Sequence, residues 1–464
     1  MNNTEKARQQ IVKYVFLFYW MLIFEGAVRK WFLPQLNQII FFLRDPVVLA
    51  IYFIAWRNNF FPRDKFLTAG IMIALAYIPL IFIQIVTIKL HPLTLIYGWR
   101  VYFYYLPLAF VIKETFYQED INKLFKQTLY IAAPLAILVY IQFISPRDSF
   151  INTGFSGIDA FVVSGLIVRT TGTFTFTTGQ TFFASSLMAM LAYIWLYRKQ
   201  YTLMPLIPLI IVTCTAMTHL LLSGSRTAFF MTGLIIVATF FGLLFTNSTK
   251  MKFTGSILLI FLILIGIVLF LGPFKDSFEA LGQRFENAEG AEGSPIRRAF
   301  APLIIFLHHL TSSPMLGYGV GFGTGGGSQL SLGTAQIALA EDEWSRIILE
   351  SGPGFGLAYI LYRIVFTFHL GLLSLQSAMK NNNLLPIMLL GFIGFHTLAG
   401  QISQNGTIMG YNWLFVGLIM AAAAQKQHST TTSSIKTLIV PNFPKIINSV
   451  KDSAPHYKTT WHIT

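Results

Sequence analysis

Residues 227–246 read Thr227-Ala228-Phe229-Phe230-Met231-Thr232-Gly233-Leu234-Ile235-Ile236-Val237-Ala238-Thr239-Phe240-Phe241-Gly242-Leu243-Leu244-Phe245-Thr246, and none of these side chains carries a charge. As a helix rising about 1.5 Å per residue, such a run crosses the roughly 30 Å hydrocarbon core of a bilayer while satisfying its own backbone polar groups. Similar apolar runs recur near 11–24, 36–56, 66–88, 97–112, 127–145, 181–197, 203–222, 254–273, 344–370, 384–403 and 407–424, separated by charged or Gly/Pro-containing breaks. The length rule turns these into about twelve spans. The first and fourth are short or interrupted, the fourth by Arg100 and Pro107.

Composition agrees with this reading. Hydrophobic residues make up 54% of the chain and charged ones 11%, against about 25% charged in soluble domains. The expected fold is an all-α polytopic membrane protein, with a membrane domain over 1–424 and one large external loop over 274–343 between the ninth and tenth spans. A loosely ordered cytoplasmic tail follows over 425–464, because a stretch such as Ser429-Thr430-Thr431-Thr432-Ser433-Ser434 offers too little apolar surface to pack. The first run follows Lys6, Arg8 and Lys13 without a small-residue cleavage site, so it reads as a retained span. Cys214 is the single cysteine, which excludes an intrachain disulfide.

A net charge of +14 would suggest nucleic acid in a soluble protein, but here the lysines sit in short loops beside apolar runs, where they orient helices. With the amino terminus inside, one set of loops collects Arg57, Arg63, Lys65, Lys113, Lys123, Lys126, Arg198, Lys199, Lys250, Lys252 and Lys380. The positive-inside rule then places both termini in the cytoplasm. The opposite loops hold mostly arginines: Arg29, Arg100, Arg147, Arg169, Arg226, Arg284, Arg297, Arg298 and Arg346. Arginine's planar fork suits phosphate and carboxylate.

Three stretches on that arginine-rich face are candidates for chemistry. Ser223-Gly224-Ser225-Arg226-Thr227 lies between two apolar runs, where an arginine is costly unless paired or hydrated. Its competing reading is a polar turn whose arginine snorkels to headgroups. Arg169 through Thr170-Thr171-Gly172-Thr173-Phe174 to Gln180 supplies hydroxyls, glycines and a cation at a helix start, which suits a phosphate or sugar. The third stretch is the polar interval from Lys275 to Glu343. In it, Pro295 opens an amphipathic run over 296–310 with Arg297 and Arg298 near its beginning. His308 and His309 are adjacent and do not match the i, i+4 spacing of a helical metal pair. The run Gly317-Tyr318-Gly319-Val320-Gly321-Phe322-Gly323 lacks the strand–turn–helix context of a dinucleotide loop and reads as a flexible cover. Glu341-Asp342-Glu343 precedes the tenth span; acids there are dipole partners at least, and one is a candidate general base.

The order Arg-x-x-Gly-Thr-Phe at 169–174, Ser-Gly-Ser-Arg at 223–226, Arg297 and Pro-x-x-Gly-x-Gly-x-Gly at 314–321 in a large loop, then Glu350-Ser351-Gly352-Pro353-Gly354-Phe355-Gly356, resembles the bacterial O-antigen ligase and polymerase superfamily. The resemblance implies the helical fold of polyprenyl-phosphate-sugar glycosyltransferases. It further implies a bacterial inner-membrane enzyme that transfers a glycan from undecaprenyl pyrophosphate to an acceptor hydroxyl at the periplasmic face, with inversion and without metal or other cofactor. Carried onto this chain, Arg169 and Arg226 would hold the pyrophosphate, assisted by Arg297 or Arg298.

The superfamily places His-Asn ahead of its Glu-x-Gly motif, with the histidine as proposed base, whereas the corresponding positions here are Glu341 and Asp342. Glu341 replaces that histidine, with Glu343 as alternate, or His308 or His309 folds in, or the member is catalytically altered. Two readings of other classes compete: a transporter or flippase of a lipid-linked glycan, and an inactive structural relative in a polysaccharide assembly complex. Glu25-Gly26-Ala27-Val28-Arg29-Lys30-Trp31 and Arg44-Asp45-Pro46 form a further signature, to which the sequence assigns no role.

Overall fold

The structure is a computed structural model that describes residues 3–154, 168–201, 203–248, 295–333 and 339–424; the side chains at 38, 199, 201 and 295–302 are excluded from the description. The described residues up to Ala424 form one compact unit. The tail lies outside the described residues, as do Arg284 and the expected span at 254–273. No strand occurs among the described residues.

The helices are α1 (Asn3–Ala27), α2 (Asn37–Phe41), α3 (Arg44–Arg57), α4 (Lys65–Ile88), α5 (Pro92–Phe103), α6 (Leu106–Thr115), α7 (Gln118–Ile144), α8 (Thr177–Tyr201), α9 (Leu206–Leu222) and α10 (Arg226–Phe245). After the undescribed stretch come α11 (Pro295–Ser312), α12 (Gly325–Leu332), α13 (Glu343–Asn381), α14 (Leu385–Ala399) and α15 (Gly406–Ala424). Nine segments among the described residues are long and apolar enough to cross a membrane, with α2–α3 and α5–α6 each contributing one. Two further expected runs appear as the shorter helices α9 and α14.

Helix boundaries follow local chemistry. Asp64 caps α4 by accepting from the Phe66 amide, and Asp120 closes the first turn of α7 by accepting from the Tyr117 amide. The expected fourth span is broken at Tyr104–Tyr105. Pro107 has no amide hydrogen and takes its place in the first turn of α6 instead of the middle of one long helix. The expected tenth span, α13, is kinked at Gly352, where φ is 78° and ψ 166°, directly before Pro353. The α1 end passes through a π turn, Val28–Phe32, before the chain reverses.

Within the apolar stretch of α8, 89% of residues are buried and within that of α15 83%, against 28% for α4, so α8 and α15 lie towards the centre and α4 towards the rim. Small residues let the inner helices approach. Gly417 of α15 lies against Ile112 and Ala109 of α6, and Gly391 of α14 against Ile235 and Ala238 of α10. Outward, Phe82, Val86, Ile207 and Phe368 are exposed. Lipid tails are as apolar as these side chains, so the arrangement suits a bilayer and would be a liability in water.

Candidate functional site

Hydrogen bonds gather five segments at one end of the helices: the α1–α3 connection, the 168–176 segment, the α9–α10 turn, the glycine run before α12, and the α14–α15 loop beside the start of α13. Thr170 Oγ1 donates to the Leu222 carbonyl at 2.8 Å, Thr173 Oγ1 to Ile23, and Lys30 Nζ to Thr171 Oγ1 and the Gly172 carbonyl, both at 2.9 Å. Gln142 closes the same segment, accepting from the Gly172 amide and donating to its carbonyl. Gly172 has φ +55°, a conformation that suits glycine. Asn405 Nδ2 ties the α14–α15 loop to Thr178 at the start of α8.

The unexplained amino-terminal signature is an ion-pair network. Glu25 binds Arg29 at 3.1 Å and Arg44 at 2.6 Å, and Asp45 binds Arg100 through Nε at 2.5 Å and Nη2 at 2.8 Å. Arg44 also donates to the Gly406 carbonyl. Arg100 lies among the rings of Phe41, Phe42, Tyr97 and Tyr105. Charges this buried are tolerated because each carboxylate meets arginine forks in fixed geometry.

A second network occupies α13. Glu343 pairs with Arg346 and, at 3.0 Å, with Arg363, and it also accepts from Ser403 Oγ. Arg363 spends its remaining donors on the carbonyls of His396, Thr397 and Gly400, closing the carboxyl end of α14. One turn beyond Arg346, Glu350 is fully buried. Its Oε2 accepts from Tyr102 at 2.6 Å and from the Gly321 amide at 2.7 Å, and its Oε1 from the Gly323 amide at 2.9 Å. Gln84 completes the arrangement, accepting from the Val320 amide and donating to the Leu316 and Glu350 carbonyls.

The glycine run is therefore not a flexible cover. Its amides are consumed by Glu350 and Gln84, and a Cβ at Gly321, φ +84°, would overlap the backbone of Gly98. The Gly321 and Gly323 amides converging on one carboxylate make an anion-binding concavity already filled from within the protein.

The expected site residues divide. Arg169 and Arg226 are partly buried, and their segments are joined by the Thr170–Leu222 hydrogen bond. Arg297 and Arg298 fall in the first turn of α11, as the Pro295 signal implies, and their side chains are outside the description. Glu341 is exposed, and its main-chain carbonyl accepts from Gln401. Glu343 has a different setting: it is buried, and both carboxylate oxygens are held by arginines. His308 is exposed and His309 half-buried on α11. Of the residues without an expected role, Lys30, Arg44, Asp45, Arg100, Arg346, Glu350 and Arg363 build the networks. The signature at 25–31 and 44–46 was the visible trace of the first, while the second had only the Glu350 motif.

No protein-family model matches the chain, and no curated protein is significantly similar to it.

Proposed function

We propose that this chain is a bacterial inner-membrane glycosyltransferase, an O-antigen polymerase or ligase-like enzyme that passes a glycan from undecaprenyl pyrophosphate to an acceptor hydroxyl at the periplasmic face. In this reading the chain has about twelve spans, the polyprenyl-phosphate-sugar glycosyltransferase fold and both termini in the cytoplasm. The observation that carries it is the union of the Arg169 and Arg226 segments in an apolar helical protein; an exposed acid at 341 is tied by Gln401 to the α14–α15 loop, whose Asn405 reaches Thr178 at the start of α8. The acceptor oxygen attacks the anomeric carbon, the bond to the pyrophosphate oxygen breaks with its electron pair, and the configuration inverts. Arg169 and Arg226, with Arg297 or Arg298, stabilise the departing charge, and Glu341 takes the acceptor proton. Exposure favours Glu341 over Glu343 as the base, because both oxygens of Glu343 are already held.

Replacing Arg226 with Ala tests the assignment. Loss of a charge-stabilising donor costs on the order of 100- to 1000-fold in turnover, so surface polysaccharide should shorten or vanish while lipid-linked precursor accumulates. Normal polymer at normal protein level removes Arg226 from the mechanism.

A second reading, transport of the lipid-linked glycan, draws on the discontinuity of α13 at Gly352, which lies between buried Glu350 and buried Arg363. Broken helices with buried polar groups occur at transporter sites. Reconstituted vesicles separate the two: new glycosidic linkage with purified protein supports transfer, and translocation without linkage supports transport.

A further inference from the structure

Among the described residues, the buried arginines are paired with acids, and Lys30 departs from that pattern. Arg8 has Glu5 and Asp120, Arg44 has Glu25, Arg100 has Asp45, and Arg346 and Arg363 share Glu343. Lys30, 4% exposed, donates only to the neutral Thr171 hydroxyl and Gly172 carbonyl, and no carboxylate reaches it among the described residues. The face of Trp31, 4.3 Å from Nζ, eases the ammonium's desolvation, but it brings no formal charge. The indole Nε1 of Trp31 is itself buried without a hydrogen-bond partner. Nearby, Arg29 and Arg44 pair with Glu25, and Arg100 pairs with Asp45.

An uncompensated cation in an apolar protein is expensive and marks a place where an anion is expected. The π turn that carries Lys30 is an irregularity of the kind found at functional sites. Lys30 also holds the Thr171 hydroxyl and the Gly172 carbonyl, two and three residues after Arg169, so it anchors the segment that carries the candidate phosphate ligand.

We infer that Lys30 is a positioning residue of a phosphate site, holding the 169–172 segment and supplying the positive charge that a pyrophosphate completes. The inference deepens the proposed function by naming a residue of the same site, and it rests on that reading for the biological ligand. It adds a third segment, the end of α1, to the two that carry Arg169 and Arg226.

The test uses the full chain in lipid nanodiscs, titrated with inorganic pyrophosphate and followed by tryptophan fluorescence. Lys30→Gln retains an amide donor for Thr171 and Gly172 but removes the charge; Lys30→Arg keeps the charge; Lys126→Gln, at an exposed position, is the control. The expected result is about tenfold weaker binding for Lys30→Gln. Lys30→Arg and the control should bind within about threefold of wild type, and the unfolding temperature of Lys30→Gln should be no lower than that of wild type, as removal of an unpaired buried charge requires. Displacement of pyrophosphate by a short polyprenyl pyrophosphate at lower concentration assigns the site to a lipid headgroup; the reverse assigns it to the free anion, and both support an anion site. Wild-type-like affinity in folded Lys30→Gln, or no pyrophosphate binding by the wild type, overturns the inference. Lys30-dependent binding in a protein that joins no sugars leaves this site standing and removes only the transfer reaction.

Discussion

At the scale of single residues, the two acids at the head of α13 illustrate how burial decides role. Glu341 is exposed, while Glu343 lies between Arg346 and Arg363. Glu343→Gln leaves two arginines short of a counter-charge, and breaking a buried ion pair in this way costs about 3–5 kcal/mol. A lower unfolding temperature and a loss of folded protein in detergent are the expected readouts. Glu341→Gln should leave stability within about 0.5 kcal/mol of wild type, as surface changes do, and abolish transfer if the residue is the base. Full transfer activity in Glu341→Gln returns the proton to another acceptor. The sequence ranked Glu341 ahead of Glu343 only by its correspondence to the family's histidine and could not show that Glu343 is already engaged, because Ser403 and Arg363 arrive from elsewhere in the chain.

A second residue-scale prediction concerns the opposite helix ends, where Asp64 receives Lys113 Nζ at 2.8 Å. Burial pushes the Asp64 carboxyl up, but the hydrogen bond and charge of Lys113, with the amides of Phe66 and Leu67, pull it below its ordinary value of 3.8. A depressed carboxylate contributes stability that is present above the unfolded value and lost as pH falls through the folded one. Lys113→Met should therefore lower the unfolding temperature at neutral pH, and its deficit should shrink below about pH 4. A deficit independent of pH would assign the effect to packing of the lysine stem.

At the scale of elements, the sequence was most informative where composition alone sets the outcome. Among the described residues, apolar runs became helices, and Pro295 opened α11. It misled where a glycine's purpose depends on a distant partner. The run 317–323 has the composition of a mobile loop, yet its amides bind a carboxylate 27 to 29 residues away on α13. Gly321→Ala tests this directly. The backbone there has φ +84°, costing a non-glycine residue about 1–2 kcal/mol, and the added methyl meets Gly98 as well. Destabilisation beyond the backbone term alone is expected, and Gly325→Ala, whose Cβ would meet nothing within 4 Å, is the matched control. Equal stability of the two variants would return the run to the role of a loose cover.

At the scale of the whole molecule, the two ends of the helices differ in kind. One end holds lysine-rich connections and the simple pairs Asp64–Lys113 and Arg8–Asp120. The other holds branched arginine networks and the Arg169 and Arg226 segments. The positive-inside rule predicts that the first end faces the cytoplasm, and the proposed transfer requires the second to face outward, where a periplasmic acceptor is available. These are independent demands, one from topology and one from chemistry, and a single labelling experiment examines both. With the exposed native thiol removed as Cys214→Ser, the exposed positions Gln329 on α12 and Arg63 before α4 each receive a cysteine, as Gln329→Cys and Arg63→Cys. A membrane-impermeant maleimide that passes the outer envelope should label position 329 in intact cells and position 63 only after the inner membrane is opened. Labelling in the reverse order would turn the arginine networks toward the cytoplasm, where nucleotide-linked sugars are the available donors, and would remove the basis for a periplasmic transfer reaction.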